Sequence, residues 1–226
     1  MSNTQIRPEI PQQSPLFLLF GPLARGLDHD TVTKLRDGLA ADKKYEWILR
    51  TVSSLPEDWK TIQSSAEDIP TTSSGLKSLE DLRDAFDQTV EQLSTALPLP
   101  NTVLIPLVVA SHLSQFMRFA EETTPGVKYP AGLSSHGVRL TQVVGFCIGT
   151  LAAFAVSSSR SRAEFEHNGS VAIRLGMLIG MAVDAQDEAL GPSGCLSIIW
   201  NSKKQEEDLV TILRDDAEVI LLSLSG

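Results

Sequence analysis

Cysteine is scarce in this chain: Cys147 and Cys195 are the two it has in 226 residues. Two thiols build neither a disulfide framework nor a zinc cluster, and a reduced, cytoplasmic protein is the simpler expectation. Positive charge is also short. Nineteen Lys and Arg against 28 Asp and Glu leave a net charge of -9, which argues against nucleic acid and anionic membrane as partners. There is no glycine-rich phosphate loop, no internal repeat and no His/Cys/Asp spacing suited to a metal, so no bound cofactor is expected. Residues 1–15 are polar and carry Pro8, Pro11 and Pro15; they read as a disordered tail rather than a signal peptide. Leu140–Ser159 is free of charge, yet its strongly apolar part, Val143–Val156, is too short to span a bilayer.

What the chain does have is a 42% apolar content, enough for a sizeable core. Leu16-Phe17-Leu18-Leu19-Phe20, stopped by Gly21-Pro22, reads as a central, fully buried strand. Helical spacing runs from Asp30, a candidate N-cap, to Ser53 with a break near Gly38. Pro56–Ser74 reads as a loop, and Leu76–Leu97 as an amphipathic helix capped by Ser78 and ended by Pro98. Asn101–Glu122 predicts a buried helix with Pro106 in its first turn or at a kink. Val138–Phe146 predicts a strand, and Gly149–Ser158 and Ser170–Ala185 predict helices; Gly176 and Gly180 point to close packing in the last. Leu196–Trp200 and Val219–Leu224 are strand candidates around a helix near Lys203–Asp216.

The centre of the sequence is Val143-Val144-Gly145-Phe146-Cys147-Ile148-Gly149 with an Ala-rich run behind it. A β-branched pair entering Gly-x-Cys-x-Gly is the form of a nucleophile elbow, a sharp strand-to-helix turn that lifts one reactive side chain above a sheet. Gly145 and Gly149 have a steric role there, since a Cβ at either would strike the neighbouring strand or helix. Cys147 then sits at a helix N-terminus, where unpaired N–H groups and the dipole favour an anion. Two plainer readings stand beside this one: an inert core cysteine, and a Gly145-x-x-x-Gly149 helix-packing face.

The order of Phe17-Leu18-Leu19-Phe20-Gly21, Leu113-Ser114-Gln115-Phe116-Met117-Arg118, Tyr129-Pro130, Gly145-Phe146-Cys147-Ile148-Gly149 and Ser157-Ser158-Ser159-Arg160-Ser161 resembles the starter-unit acyl-carrier-protein transacylase domain of fungal non-reducing polyketide synthases. The resemblance covers most of the chain from Leu16 onward. It implies an α/β fold: an acyltransferase (α/β-hydrolase-like) core with a parallel sheet over residues 16–195, then the beginning of a small ferredoxin-like subdomain over 196–226. It also implies an activity, the transfer of an acyl group from acyl-CoA through a Cys thioester to an acyl-carrier protein or polyketide synthase. On that resemblance Cys147 is the nucleophile, and the Ile148 backbone N–H donates to the oxyanion.

Two positions depart from the family pattern. Its first strand continues Gly-Asp-Gln, where this chain has Gly21-Pro22-Leu23. Its catalytic histidine follows the small subdomain, whereas His29, His112, His136 and His167 all precede that point. His136, nearest to Cys147 in the lead-in, reads as a loop residue. A non-catalytic module that docks a carrier protein or synthase is the rival reading. A serine-hydrolase-like enzyme with Cys for Ser is disfavoured, because no Asp or Glu followed by His comes after Cys147 in that order.

Overall fold

The computed structural model describes residues 15–21, 27–65, 74–87, 98–123, 139–190, 202–205 and 207. Contacts divide the chain into two units, Met1–Gly191 and Pro192–Gly226. Among its described residues the first is mostly helical around a two-stranded parallel sheet, an α/β arrangement. In the second, Lys203–Gln205 and Glu207 are helical; the strand candidates at 196–200 and 219–224 lie outside the described residues.

Strand β1, Pro15–Phe20, pairs in parallel with β2, Arg139–Gly145, bringing Leu18 opposite Val143, Leu19 opposite Val144 and Phe20 opposite Gly145. The sheet is not buried on both faces as the apolar run in β1 suggests. Strand alternation turns Phe20 into the core at 8% exposure and Leu19 away from it at 72%; Val144, beside Leu19, is 40% exposed. An apolar run therefore signals a strand here without signalling two covered faces.

Helix α1 is His29–Ala40, and its N-cap is Asp28 rather than Asp30: the Asp28 carboxylate accepts the Thr31 N–H at 2.7 Å. Asp30 lies inside the first turn and pairs with Lys34 at 2.6 Å. Gly38 does not break the helix; the chain turns at Ala41–Asp42 into a 3-10 turn, Lys43–Tyr45, and then α2, Glu46–Ser65. The second helix runs through Pro56, where the sequence reads as a loop. The proline removes one N–H from the ladder, a cost of about 3 kcal/mol. Val52, Leu55 and Trp59 keep one fully buried stripe across it, and burial at about 1.5–3 kcal/mol per large side chain outweighs that loss.

Helix α3, Gly75–Phe86, buries Leu79, Leu82, Ala85 and Phe86. Ser78 is an interior residue whose hydroxyl donates back to the Ser74 carbonyl at 3.1 Å, so it is not the cap; residues 88–97 of the expected helix lie outside the described residues. Helix α4, Asn101–Thr123, carries Pro106 in its second turn. It is long and apolar enough to cross a membrane, but Val103, Leu107, Val108, Val109, Ala110 and Leu113 are fully buried in the core.

After β2 come α5, Gly149–Ser157, and α6, Arg162–Leu190. The longer α6 starts eight residues before its apolar run because Ser161 and Glu164 form a capping pair. Ser161 Oγ accepts the Glu164 N–H at 3.2 Å, and the Glu164 carboxylate accepts the Arg160 N–H at 2.6 Å. Helices α4 and α6 form the central pair. Their crossing is locked by Asp184, whose carboxylate accepts the Asn101 N–H at 2.8 Å, Asn101 Nδ2 at 2.9 Å, the Thr102 N–H at 2.8 Å and Thr102 Oγ1 at 2.6 Å. That carboxylate satisfies the orphan donors of the α4 N-terminus from another helix.

Candidate functional site

Gly145 ends β2, Phe146 to Ile148 turn, and Gly149 begins α5. At the centre of the turn, Cys147 is the one non-glycine residue with a positive φ among those described, at 55°. A side chain held in the left-handed region costs of order 1–3 kcal/mol unless its surroundings enforce it. The surroundings are visible in the glycines. A Cβ on Gly149 would lie 2.1 Å from the Phe20 carbonyl oxygen and 2.9 Å from that of Gly21. One on Gly145 would lie 2.3 Å from Thr150 Cα and 2.5 Å from its nitrogen. The turn is thus pressed against the end of β1 on one side and the start of α5 on the other, at distances that only hydrogen in place of Cβ permits.

Three hydrogen bonds hold this compact shape. The Phe146 N–H donates to the Phe20 carbonyl at 2.9 Å, the Gly149 N–H to the Phe146 carbonyl at 3.0 Å, and the Thr150 N–H to the Cys147 carbonyl at 3.0 Å. Thr150 Oγ1 adds a bond to the Gly145 carbonyl at 3.2 Å. The Ile148 N–H makes no hydrogen bond among the described residues, so it is a free donor one residue beyond the sulfur.

Cys147 is a free, exposed thiol, which sets aside the inert core cysteine. The Gly-x-x-x-Gly helix face is set aside too, since Gly145 belongs to a strand and Gly149 to a helix. Phe146, next to Cys147 in the turn, is 52% exposed, and Phe154, on α5, is 65% exposed.

The histidines are dispersed. His112, on α4, sets its ring against Phe20 at 5.8 Å between centroids, its Nδ1 buried without a partner, and burial holds the imidazole below its usual value. His167 lines a pocket between α2 and α6. His29 opens α1, and His136 lies outside the described residues, as do Pro22, Leu23 and Cys195. Among the described residues Cys147 Sγ has no histidine partner and no group of His, Cys, Asp and Glu is placed to hold a metal.

Sequence reading missed the part played by Phe20, whose carbonyl anchors a turn 126 residues later; no local pattern signals such a contact. The Ser157–Ser161 run has a structural role. Ser159 Oγ donates to the Ala155 carbonyl at 2.6 Å, and Asn168 Nδ2 donates to the Ser158 and Ser159 hydroxyls at 3.0 and 3.1 Å.

A parallel strand pair feeding a tight turn, with an exposed cysteine at positive φ and a helix starting two residues on, defines an α/β protein with an elbow-type turn. Comparison with known proteins carries this further. The model of a family described as starter unit:ACP transacylase in aflatoxin biosynthesis matches residues 32–215, and the chain belongs to that family. It is 39% identical over 199 residues to the non-reducing polyketide synthase dbaI of Emericella nidulans, covering 87% of this chain and 8% of that protein. It is 38% identical over 201 residues to a 3-methylorcinaldehyde synthase of a Phoma species, covering 86% and 7%, and 35% identical over 208 residues to 3-methylorcinaldehyde synthase tropA of Talaromyces stipitatus, covering 90% and 8%. The chain therefore spans less than a tenth of the length of these curated relatives.

Proposed function

We propose that the chain is the acyltransferase portion of a starter-unit loading system in polyketide biosynthesis, with Cys147 as its nucleophile. The observation that carries this is the cysteine itself, exposed and held at φ 55° between two glycines that no other residue can replace without moving β1 or α5. In the first step the Cys147 sulfur, as thiolate, attacks the carbonyl carbon of an acyl-CoA thioester. The tetrahedral oxyanion takes a hydrogen bond from the Ile148 N–H, and collapse expels the coenzyme A thiolate to leave an acyl-Cys147 thioester. In the second step the phosphopantetheine thiol of a carrier protein attacks that thioester, and Cys147 departs as thiolate. One thioester replaces another at each stage, so the exchange is nearly thermoneutral and the protein's task is positioning. The fold reading behind this is an acyltransferase-like core, with the residues from 196 onward as the start of a small subdomain, in a cytoplasmic protein without a resident cofactor.

One observation favours a second reading, a docking module without chemistry: the free Cys147 thiol has no side-chain hydrogen bond to a base among the described residues, and general acid–base help is commonly worth roughly 10²–10⁴-fold. The two readings separate in one assay. The chain is incubated with an acyl-CoA and then mixed with a holo carrier protein, and the mass of each is followed with time. Transfer of the acyl mass to the carrier supports the enzyme. Carrier binding with no transfer, and no acyl loading, supports the module.

A further inference from the structure

Away from the elbow residues, a pocket of about 490 Å³ lies between α2 and α6, within the size range of small-molecule sites. Its walls come from residues one turn apart on each helix. On α2 these are Trp47, Arg50, Thr51 and Ser54; on α6 they include His167, Ser170 and Arg174. Thr51 Oγ1 and Ser170 Oγ lie 3.0 Å apart and tie the helices together. Arg174 is held in place from α2: its Nε donates to Asp58 at 2.8 Å and its Nη2 to Ser54 Oγ at 3.2 Å.

The wall carries two arginines and one glutamate, and Arg174 is already paired with Asp58 at 2.8 Å. Arg50 is exposed and has no hydrogen-bond or ion-pair partner among the described residues. Glu166, the one acid on the wall, is already paired with Arg162 at 2.7 Å. The Nε1 of Trp47, also a wall residue, is buried without a hydrogen-bond partner, although a buried donor normally has one. An unpaired guanidinium, a second one with its plane fixed by Asp58 and an imidazole thus line one cavity in a protein of net charge -9; the three wall hydroxyls donate to carbonyls of their own helices. Planar guanidinium groups match phosphoryl oxygens two at a time.

We propose that this pocket binds a phosphorylated small molecule, with its phosphoryl oxygens on the Arg50 guanidinium and on the N–H groups of Arg174 that Asp58 and Ser54 leave unused; the Ser54 and Ser170 hydroxyls already donate to the Thr51 and Glu166 carbonyls and shape the wall. The site shares no residue with the elbow, so it stands or falls apart from the reaction at Cys147. Isothermal titration of the full chain with inorganic pyrophosphate tests it. One saturable site is expected, weakened about tenfold in Arg50→Ala, the effect of one charge-assisted contact, and only partly restored in Arg50→Lys, which keeps the charge but not the two-pronged fork. Arg50 is exposed and unbonded, so these variants keep the fold. Cys147→Ala is expected to bind as the wild type does. No saturable binding, an Arg50→Ala affinity equal to the wild type, or equal affinity for sulfate overturns the assignment.

Discussion

Replacing Gly149 by Ala adds one carbon at the most crowded point of the elbow. That carbon would sit 2.1 Å from the Phe20 oxygen and 2.5 Å from the Phe20 carbonyl carbon, both main chain and neither able to rotate away. The end of β1 has to retreat by about an ångström, and overpacking of this kind costs about 1–3 kcal/mol. The retreat also loosens the 2.9 Å bond from the Phe146 N–H to the Phe20 carbonyl, worth about 1 kcal/mol. The intrinsic helix preference for Ala over Gly returns at most about 1 kcal/mol. The expected net loss is about 1–3 kcal/mol, or about 2–12 °C in melting temperature for a chain of this size. Gly38→Ala supplies the control, because nothing lies within 4 Å of a Cβ there and helix propensity alone acts. Thermal melts by circular dichroism should show Gly149→Ala lower and Gly38→Ala equal or higher. If the two variants melt alike, the close approach of β1 to the elbow is wrong.

Removing the Asp184 carboxylate strips four hydrogen bonds from the first turn of α4; Asp184→Ala should cost about 2–4 kcal/mol in urea unfolding, with Asp184→Asn intermediate. Lys44 is raised above the ordinary lysine value by its hydrogen bond to Glu121 and, beyond that, by Asp42. A raised folded value means that its contribution is complete below about pH 10.4 and lost as pH climbs past that. The wild type should therefore lose stability in alkali, while Lys44→Met begins lower and stays flatter, as urea midpoints between pH 8 and 11.5 will show. The exposure of Cys147 predicts that iodoacetamide modifies it without denaturant, read by peptide mass mapping; labelling that appears only in urea contradicts the geometry.

The elbow was legible because its requirement is steric and local: two glycines four residues apart around a cysteine, with β-branched residues before and alanines after. The helices with apolar stripes were legible for the same reason. Pro56 misled because breaker rules weigh the lost N–H and not the stripe of Val52, Leu55 and Trp59 that crosses it. Leu19 misled because an apolar run says nothing of which faces are covered. The Asp184 clamp on Asn101 and Thr102, and the meeting of Arg50 with Arg174, depend on how distant helices cross. Nothing in the spacing of residues along the chain encodes either one.

The central claim is that Cys147 carries the acyl group, and intact-mass measurement tests it most directly. The chain is incubated with acyl-CoAs of several chain lengths and its mass compared with that of Cys147→Ala. The account predicts a single acyl increment for at least one donor, mapped to the peptide containing Cys147 and absent from Cys147→Ala. An adduct that persists in Cys147→Ala, or no adduct with any donor while the thiol still reacts with iodoacetamide, contradicts it.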